Sequence, residues 1–357
     1  MENQLKTVRD SDGKILYFSA EDFIDKIVIG GNCFICGAEK GSKTFNNEHI
    51  FPNWLLKWLS LHDKTITLPN GVKSVYSRYK ISCCQECNTA LSRNIEIPVS
   101  SLLQLPYYQF TCELNRHPDY IKLLFEWCAL IYFKTHIRDM EHSWHLRYDT
   151  ENHKIGERYN WADYHHLHCI LRRFFTGASA DGRTYGSMCI FPVYYPDNST
   201  IADKFDYISD NLGQAVMLML DQIAIICVLN DAGAAQAIYD DLKRITAAPT
   251  RLQLREIFSH FAYINCNLTE RPEFYTLYNK TLNKLVMATK PPEIFDVRRI
   301  QDEVISLGEI IYKCCVPMMG KIDPNEEEKL LSAIKKGRYT FLFDENREFI
   351  DHAKLPK

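Results

Sequence analysis

The sequence predicts an α+β protein in which a small cysteine-bracketed module over residues 30–98 precedes a larger, helix-rich α+β domain over 99–357. Three observations carry that expectation. Two Cys-x-x-Cys pairs, Cys33/Cys36 and Cys84/Cys87, stand at the two ends of the module. Between them, Pro69-Asn70-Gly71 separates two strand-like runs and gives a hairpin signal. Beyond residue 100 the texture changes to long apolar-rich helical patterns.

Taken in order, residues 1–29 are a lead-in. Asp10-Ser11-Asp12-Gly13 is a turn, a strand is expected over 14–18, and Ser19 with Asp22 three residues on predicts a capped helix over 20–27. Gly30-Gly31 ends it. Pro52 can open a helix, and Trp54, Leu55, Trp58 and Leu59 give it an apolar face. Strands are expected over 65–68 and 72–81, either side of the turn. Cys84-Gln85-Glu86-Cys87-Asn88 opens a further helix that is expected to stop before Pro98. In the second region, helices are expected over 120–138 and 161–175 and a strand over 188–194. Residues 216–220 and 223–229 read as a buried hairpin or one long strand. Asp231 should cap an Ala-rich helix reaching about 245, and Asp323-Pro324 a helix ending near Gly337, acidic at its start and basic at its end.

Hydrophobic residues make up 46% and charged residues 24%, too apolar for a disordered chain. With 42 Lys+Arg against 45 Asp+Glu, the net charge is −3, so any grip on nucleic acid must be local. The first residues show no apolar leader, and the most apolar stretch, 216–229, is broken by Asp221-Gln222 and too short to span a bilayer. A cytoplasmic protein with no membrane contact is expected. Its thirteen cysteines are then reduced thiols rather than a disulfide scaffold.

Each Cys-x-x-Cys pair can bite one metal ion through a tight turn, and two pairs complete a tetrahedral structural Zn²⁺ site. Cys83 is the alternative to Cys84, but only Cys84 keeps the two-residue spacing. Between the pairs lies Asn47-Glu48-His49-Ile50-Phe51-Pro52. Phosphodiester hydrolysis needs a base to activate water and a cation to stabilise phosphate charge, and an adjacent acid and imidazole supply the means. Neighbouring side chains on a strand point to opposite sides, so Glu48 and His49 can serve one phosphate only if the strand ends or twists there. Arg78, Lys80 and Arg93 are the preferred contacts to a nucleic-acid backbone.

Cys33-x-x-Cys36, Glu48-His49-Ile50-x-Pro52 and Cys84-x-x-Cys87-Asn88 together resemble the HNH (ββα-metal) endonuclease family in its zinc-stapled variety, over roughly residues 30–97. The resemblance implies a two-stranded hairpin followed by a helix. It implies His49 as general base, with Glu48 and Asn88 as ligands of a catalytic Mg²⁺ or Mn²⁺ distinct from the structural zinc. DNA is the substrate it favours over RNA, in a setting such as anti-phage defence or restriction. The chain departs from the family in two respects. It has Glu48 where Asp is commoner, and no clear counterpart of the family's middle Asn. Asn70 is a weak candidate for that role, which a backbone carbonyl can also fill. The alternative is a zinc module that binds nucleic acid or protein without hydrolysis. Residues 99–357 lie outside the resemblance; a sensor, docking or substrate-binding role is open for them, including a regulatory partner protein or self-association through this domain.

Other clusters read as packing. His165, His166 and His168 read as packed or surface histidines. Cys314-Cys315 with Met318-Met319 reads as a soft corner of the core. Arg172-Arg173 and Arg298-Arg299 read as solvated helix faces.

Overall fold

A computed structural model of the chain describes residues 5–144, 153–197, 199–320 and 322–355. The architecture is mixed α and β, with several small sheets. The chain divides into two units, residues 1–184 with 274–289 and residues 185–273 with 290–357. The first unit thus runs well past residue 98, where the change in texture suggested a boundary. The cause is a long buried helix at 119–139, against which the cysteine-bracketed segment packs.

In the first unit, β1 (Val8–Arg9) and β2 (Ile15–Tyr17) pair across a turn in which Asp10 Oδ1 accepts the N–H groups of Asp12 and Lys14 at 3.0 and 2.9 Å. Ser19 caps α1 (Ala20–Asp22) by accepting the Asp22 N–H at 3.1 Å, and wider, π-type turns continue over Phe23–Ile29. These turns bury Phe23, Ile27 and Val28.

Next come β3 (Phe45–His49) and α2 (Asn53–Trp58). The hairpin forms as β4 (Thr65–Thr67) and β5 (Lys73–Val75). The single strand expected over 72–81 is two. A 3₁₀ turn, Tyr76–Arg78, interrupts it, and the chain resumes as β6 (Lys80–Cys84), which pairs antiparallel with β3 rather than with β4. Tyr76 and Tyr79 are buried against Phe51, with ring centroids 5.2 and 6.4 Å away, and this packing carries the chain from one sheet to the other.

α3 (Gln85–Leu91) follows β6 directly. The expected stop before Pro98 does not occur. The turns widen over Ser92–Glu96, and α4 (Ile97–Leu103) begins with Pro98 in its first two positions, where a missing N–H forfeits no helical bond. One helical arm therefore spans 85–103. After α5 (Tyr107–Arg116) comes α6 (Asp119–Asp139), buried on nearly every side between Leu124 and His136. Its Glu126 is paired with Arg173 at 2.8 Å. α7 (Ala162–Leu171) and α8 (Arg173–Thr176) fill the expected 161–175. Arg172 between them is not a solvated cation. It is 4% exposed and donates to the backbone carbonyls of Leu16 and Ile15 at 3.3 and 2.5 Å. A burial that deep is tolerable because those carbonyls meet the guanidinium.

The second unit is built on an antiparallel sheet in the order Met188–Pro192, Ile223–Val228, Ala215–Leu220, Phe205–Asp210. The apolar run is a hairpin: Leu220 pairs with Ile223 across Asp221-Gln222, and both strands are fully buried. The helix Arg251–Cys266, with a Thr250/Gln253 capping box, packs on this sheet. The Ala-rich helix ends at Ile238 and tightens into a 3₁₀ turn, Asp240–Arg244, earlier than expected. Asp323 caps Pro324–Lys335, and Gly337 follows at φ +66°. Among the described residues, no helix is long and apolar enough to cross a membrane.

Candidate functional site

The pairing of β3 with β6 sets the geometry. Cys33 and Cys36 lie on a knuckle closed by the Gly37 N–H donating to the Cys33 carbonyl at 2.9 Å. Gly37 has φ +68°, and an added Cβ would meet the Phe18 ring at 2.9 Å, so this turn requires glycine. Cys84 ends β6, and Cys87 lies in the first turn of α3. The four sulfurs all lie within 4.8 Å of one another, with Cys36 Sγ and Cys84 Sγ 3.7 Å apart. A tetrahedral zinc with Zn–S bonds near 2.3 Å needs sulfurs about 3.8 Å apart, so the cage has the right size. Cys83, although 3.9 Å from Cys33, is not one of the converging four.

Hydrogen bonds from Cys36, Cys83 and Cys87 pull the Cys33 thiol down. The reciprocal bond to Cys33, together with burial, pushes Cys36 up to about 12. Thiolates this close suppress one another's ionisation, and a cation among them removes that conflict. Cys33, Cys84 and Cys87 are buried, which leaves the cage closed to substrate. The four cysteines are thus positioned to hold a metal ion, and their donor set fits Zn²⁺.

Glu48, His49 and Asn88 line one cleft of about 560 Å³ beside this cage, with Arg93 and Glu96 among the other lining residues. His49 is the last residue of β3, and the strand ends where both side chains can turn to one space. Burial is the main influence lowering the His49 pKa, helped by Lys80, which faces it across the β3–β6 ladder; Glu48 opposes both. The ring is therefore neutral at neutral pH.

Asn88 is half-buried on α3. Four residues overshoot an α-helical turn by about 40°. The wider turns over Ser92–Glu96 offset part of that drift, so Asn88, Ser92 and Glu96 all reach the cleft from one arm. Arg93 also lines an adjoining polar cleft with Lys43, Gln85 and Asn94. Arg78 is exposed and is not among the lining residues of either cleft. Asn70 serves the β4–β5 hairpin instead: its Oδ1 accepts the Val72 N–H at 3.1 Å, and its amide donates to the Ser143 carbonyl at 2.8 Å.

Two charged residues lay outside the sequence expectation: Glu96, which lines the cleft, and Lys134, which meets the cleft's carboxylates from the interior. Lys134 is fully buried on α6 and donates to the His49 carbonyl at 2.8 Å; its Nζ lies 3.4 Å from Glu96 Oε1 and 3.6 Å from Glu48 Oε1. Burial raises the Glu96 pKa, and Lys134 opposes that. The signal for Lys134 was a lysine in a run of apolar residues, since a buried ammonium demands partners.

The remaining clusters are structural. His165, His166 and His168 bond the backbone carbonyls of Phe18, Thr184 and Ile35 at 2.8, 2.9 and 3.2 Å, the last bracing the cysteine knuckle. Cys314 and Cys315 lie in the core of the second unit, and Arg298 and Arg299 are exposed. No family model matches the chain, and no curated protein or solved structure does.

Proposed function

We propose that this protein is a metal-dependent HNH-type endonuclease acting on DNA rather than RNA. One observation carries the reading: Glu48, His49 and Asn88 share one cleft, on a β3–β6 pair followed directly by α3, beside four converging cysteines. A purely structural zinc knuckle has no use for such a cleft.

The chemistry follows from the groups. Burial, helped by Lys80, keeps the His49 imidazole neutral, so one ring nitrogen is a bare base. That nitrogen takes the proton from a water as its oxygen attacks phosphorus. Glu48 and Asn88 offer a carboxylate and an amide oxygen, hard donors that suit Mg²⁺ or Mn²⁺. When bound, such an ion supplies charge stabilisation at the phosphate and the leaving oxygen. Arg93, exposed at the junction of two clefts, holds a backbone phosphate, and Lys80 adds positive potential beside His49. The near-neutral chain suits a nuclease that waits on a licensing partner, as expected in anti-phage defence or restriction.

His49→Ala tests the proposal in a plasmid-cleavage assay with zinc content, melting temperature and DNA affinity measured in parallel. Removal of a general base lowers the rate on the order of 10²- to 10⁴-fold. The three parallel measurements should stay at parental values. Equal cleavage by mutant and parent, in preparations free of contaminating nuclease, would leave only a zinc-pinned binding module.

A further inference from the structure

Lys134 has the least solvent exposure of the charged groups in this region, and its contacts converge on the residues with the proposed chemistry. α6 delivers it through an apolar wall of Leu130, Ile131, Tyr132 and Phe133, all buried. Its side chain is 0% exposed, and its ammonium meets the His49 carbonyl at 2.8 Å, Glu96 Oε1 at 3.4 Å and Glu48 Oε1 at 3.6 Å. A buried ammonium is unfavourable unless charges and hydrogen bonds compensate it. Here the compensation comes from the end of β3 and from both carboxylates of the cleft.

We propose that Lys134 is a positioning residue: it pins the end of β3 through the His49 carbonyl and holds Glu96 as its counter-ion, leaving Glu48 as the carboxylate that takes a divalent cation. The distances support this division: Glu96 is within hydrogen-bond reach of the ammonium and is the closer of the two carboxylates. The inference rests on the nuclease reading for its kinetic consequence, whereas its metal-binding consequence can be measured without nucleic acid.

The test titrates zinc-loaded, full-length protein with Mn²⁺ alone by calorimetry, then measures kcat and KM on a DNA fragment. The parent should bind Mn²⁺ at a site that Glu48→Gln weakens at least tenfold and Glu96→Gln changes by less than twofold. In the Lys134→Met background Glu96 is released, so adding Glu96→Gln should weaken Mn²⁺ at least tenfold there. The double variant Lys134→Met/Glu96→Gln removes the more buried carboxylate together with its ammonium, so it guards against a single variant that fails to fold. It should keep its zinc and lose at least tenfold in kcat with little change in KM, because His49 is no longer held.

A tenfold loss of Mn²⁺ affinity in Glu96→Gln alone would make Glu96 a ligand and overturn the proposal. Parental kcat in the double variant would reduce Lys134 to a filler of the interior. A parent with no Glu48-dependent Mn²⁺ site would sink this inference and the nuclease mechanism together. A parent that binds Mn²⁺ as described yet cuts no DNA would sink the nuclease reading alone.

Discussion

α6 carries two buried titrating groups less than one turn apart, and their protonation pulls stability in opposite directions. His136 is 4% exposed, and its ring packs against Tyr132 at 4.2 Å. Burial lowers its pKa to about 3. Asp139 is 2% exposed; burial raises its pKa to about 6 against the opposing pull of Tyr79 and Arg138. The folded state therefore binds fewer protons at His136 than the unfolded chain does, and its stabilising share is lost as pH falls from about 6.5 toward 3. At Asp139 the folded state binds more protons, so stability is lost as pH rises from about 3.8 to 6. Between about pH 4 and 6 the two slopes cancel.

Asp139→Asn removes one of the opposed slopes. The shift at Asp139 is about two pH units, worth roughly 3 kcal/mol at about 1.4 kcal/mol per unit. Relative to the parent, Asp139→Asn should gain roughly that much stability between pH 4 and 6, all of it toward the higher pH. His136→Phe should show the opposite slope, becoming relatively more stable as the solution acidifies. Urea unfolding at half-unit pH steps, with each variant subtracted from the parent, isolates these slopes from the other titrating groups. Parallel curves for Asp139→Asn and parent across this window would refute the reasoning. Because the same helix carries Lys134 to Glu48 and Glu96, the measurement also bears on how firmly that residue is held.

Purified protein should carry about one zinc per chain, and Cys36→Ser or Cys87→Ser should lower both zinc content and melting temperature; a folded, active protein without zinc by elemental analysis would refute the cage. Cleavage should need added Mg²⁺ or Mn²⁺ with zinc already in place, because four thiolates close the zinc to substrate. Asn88→Ala should cut cleavage and leave zinc unchanged, and undiminished activity in EDTA with zinc retained would contradict the scheme. Arg93→Ala should raise KM more than it lowers kcat and should reduce the salt dependence of DNA binding by about one phosphate contact. An unchanged salt slope would exclude a phosphate contact at Arg93.

The parts of the site that sequence alone exposed are those written in short range. Each cysteine pair is a local turn, Glu48-His49 is a dipeptide, and Asn88 follows its ligand cysteine directly. What stayed hidden depends on partners far along the chain. The run at 72–81 has strand character throughout, and nothing in it records that β5 pairs with β4 while β6 pairs with β3. That change of partner produces the 3₁₀ turn Tyr76–Arg78, after which the Tyr79 carbonyl accepts the Ile50 N–H at 3.0 Å just past His49. Pro98 was read as a stop because a proline disfavours helix before it; the widened turns absorb it and carry Glu96 into the cleft. Lys134 and Arg172 sit in helical patterns that suggested an apolar span and a wet face. Only the tertiary fold shows which carbonyls and carboxylates receive them.

The two cysteine pairs also set an order of assembly. Cys36 and Cys84 are 48 residues apart, so bringing their sulfurs together closes a long loop at a chain-entropy cost of roughly 3 kcal/mol. A structural zinc supplies on the order of 10 kcal/mol, far more than that cost. On the ribosome, an ion held by the first pair alone has half its ligands until residue 87 emerges. Asn88 comes next, on the helix that the second pair anchors, and β6 registers with β3 over the same stretch. The cleft lined by Glu48, His49 and Asn88 thus assembles only once the clasp shuts, and a chain made without zinc should lack the proposed site altogether.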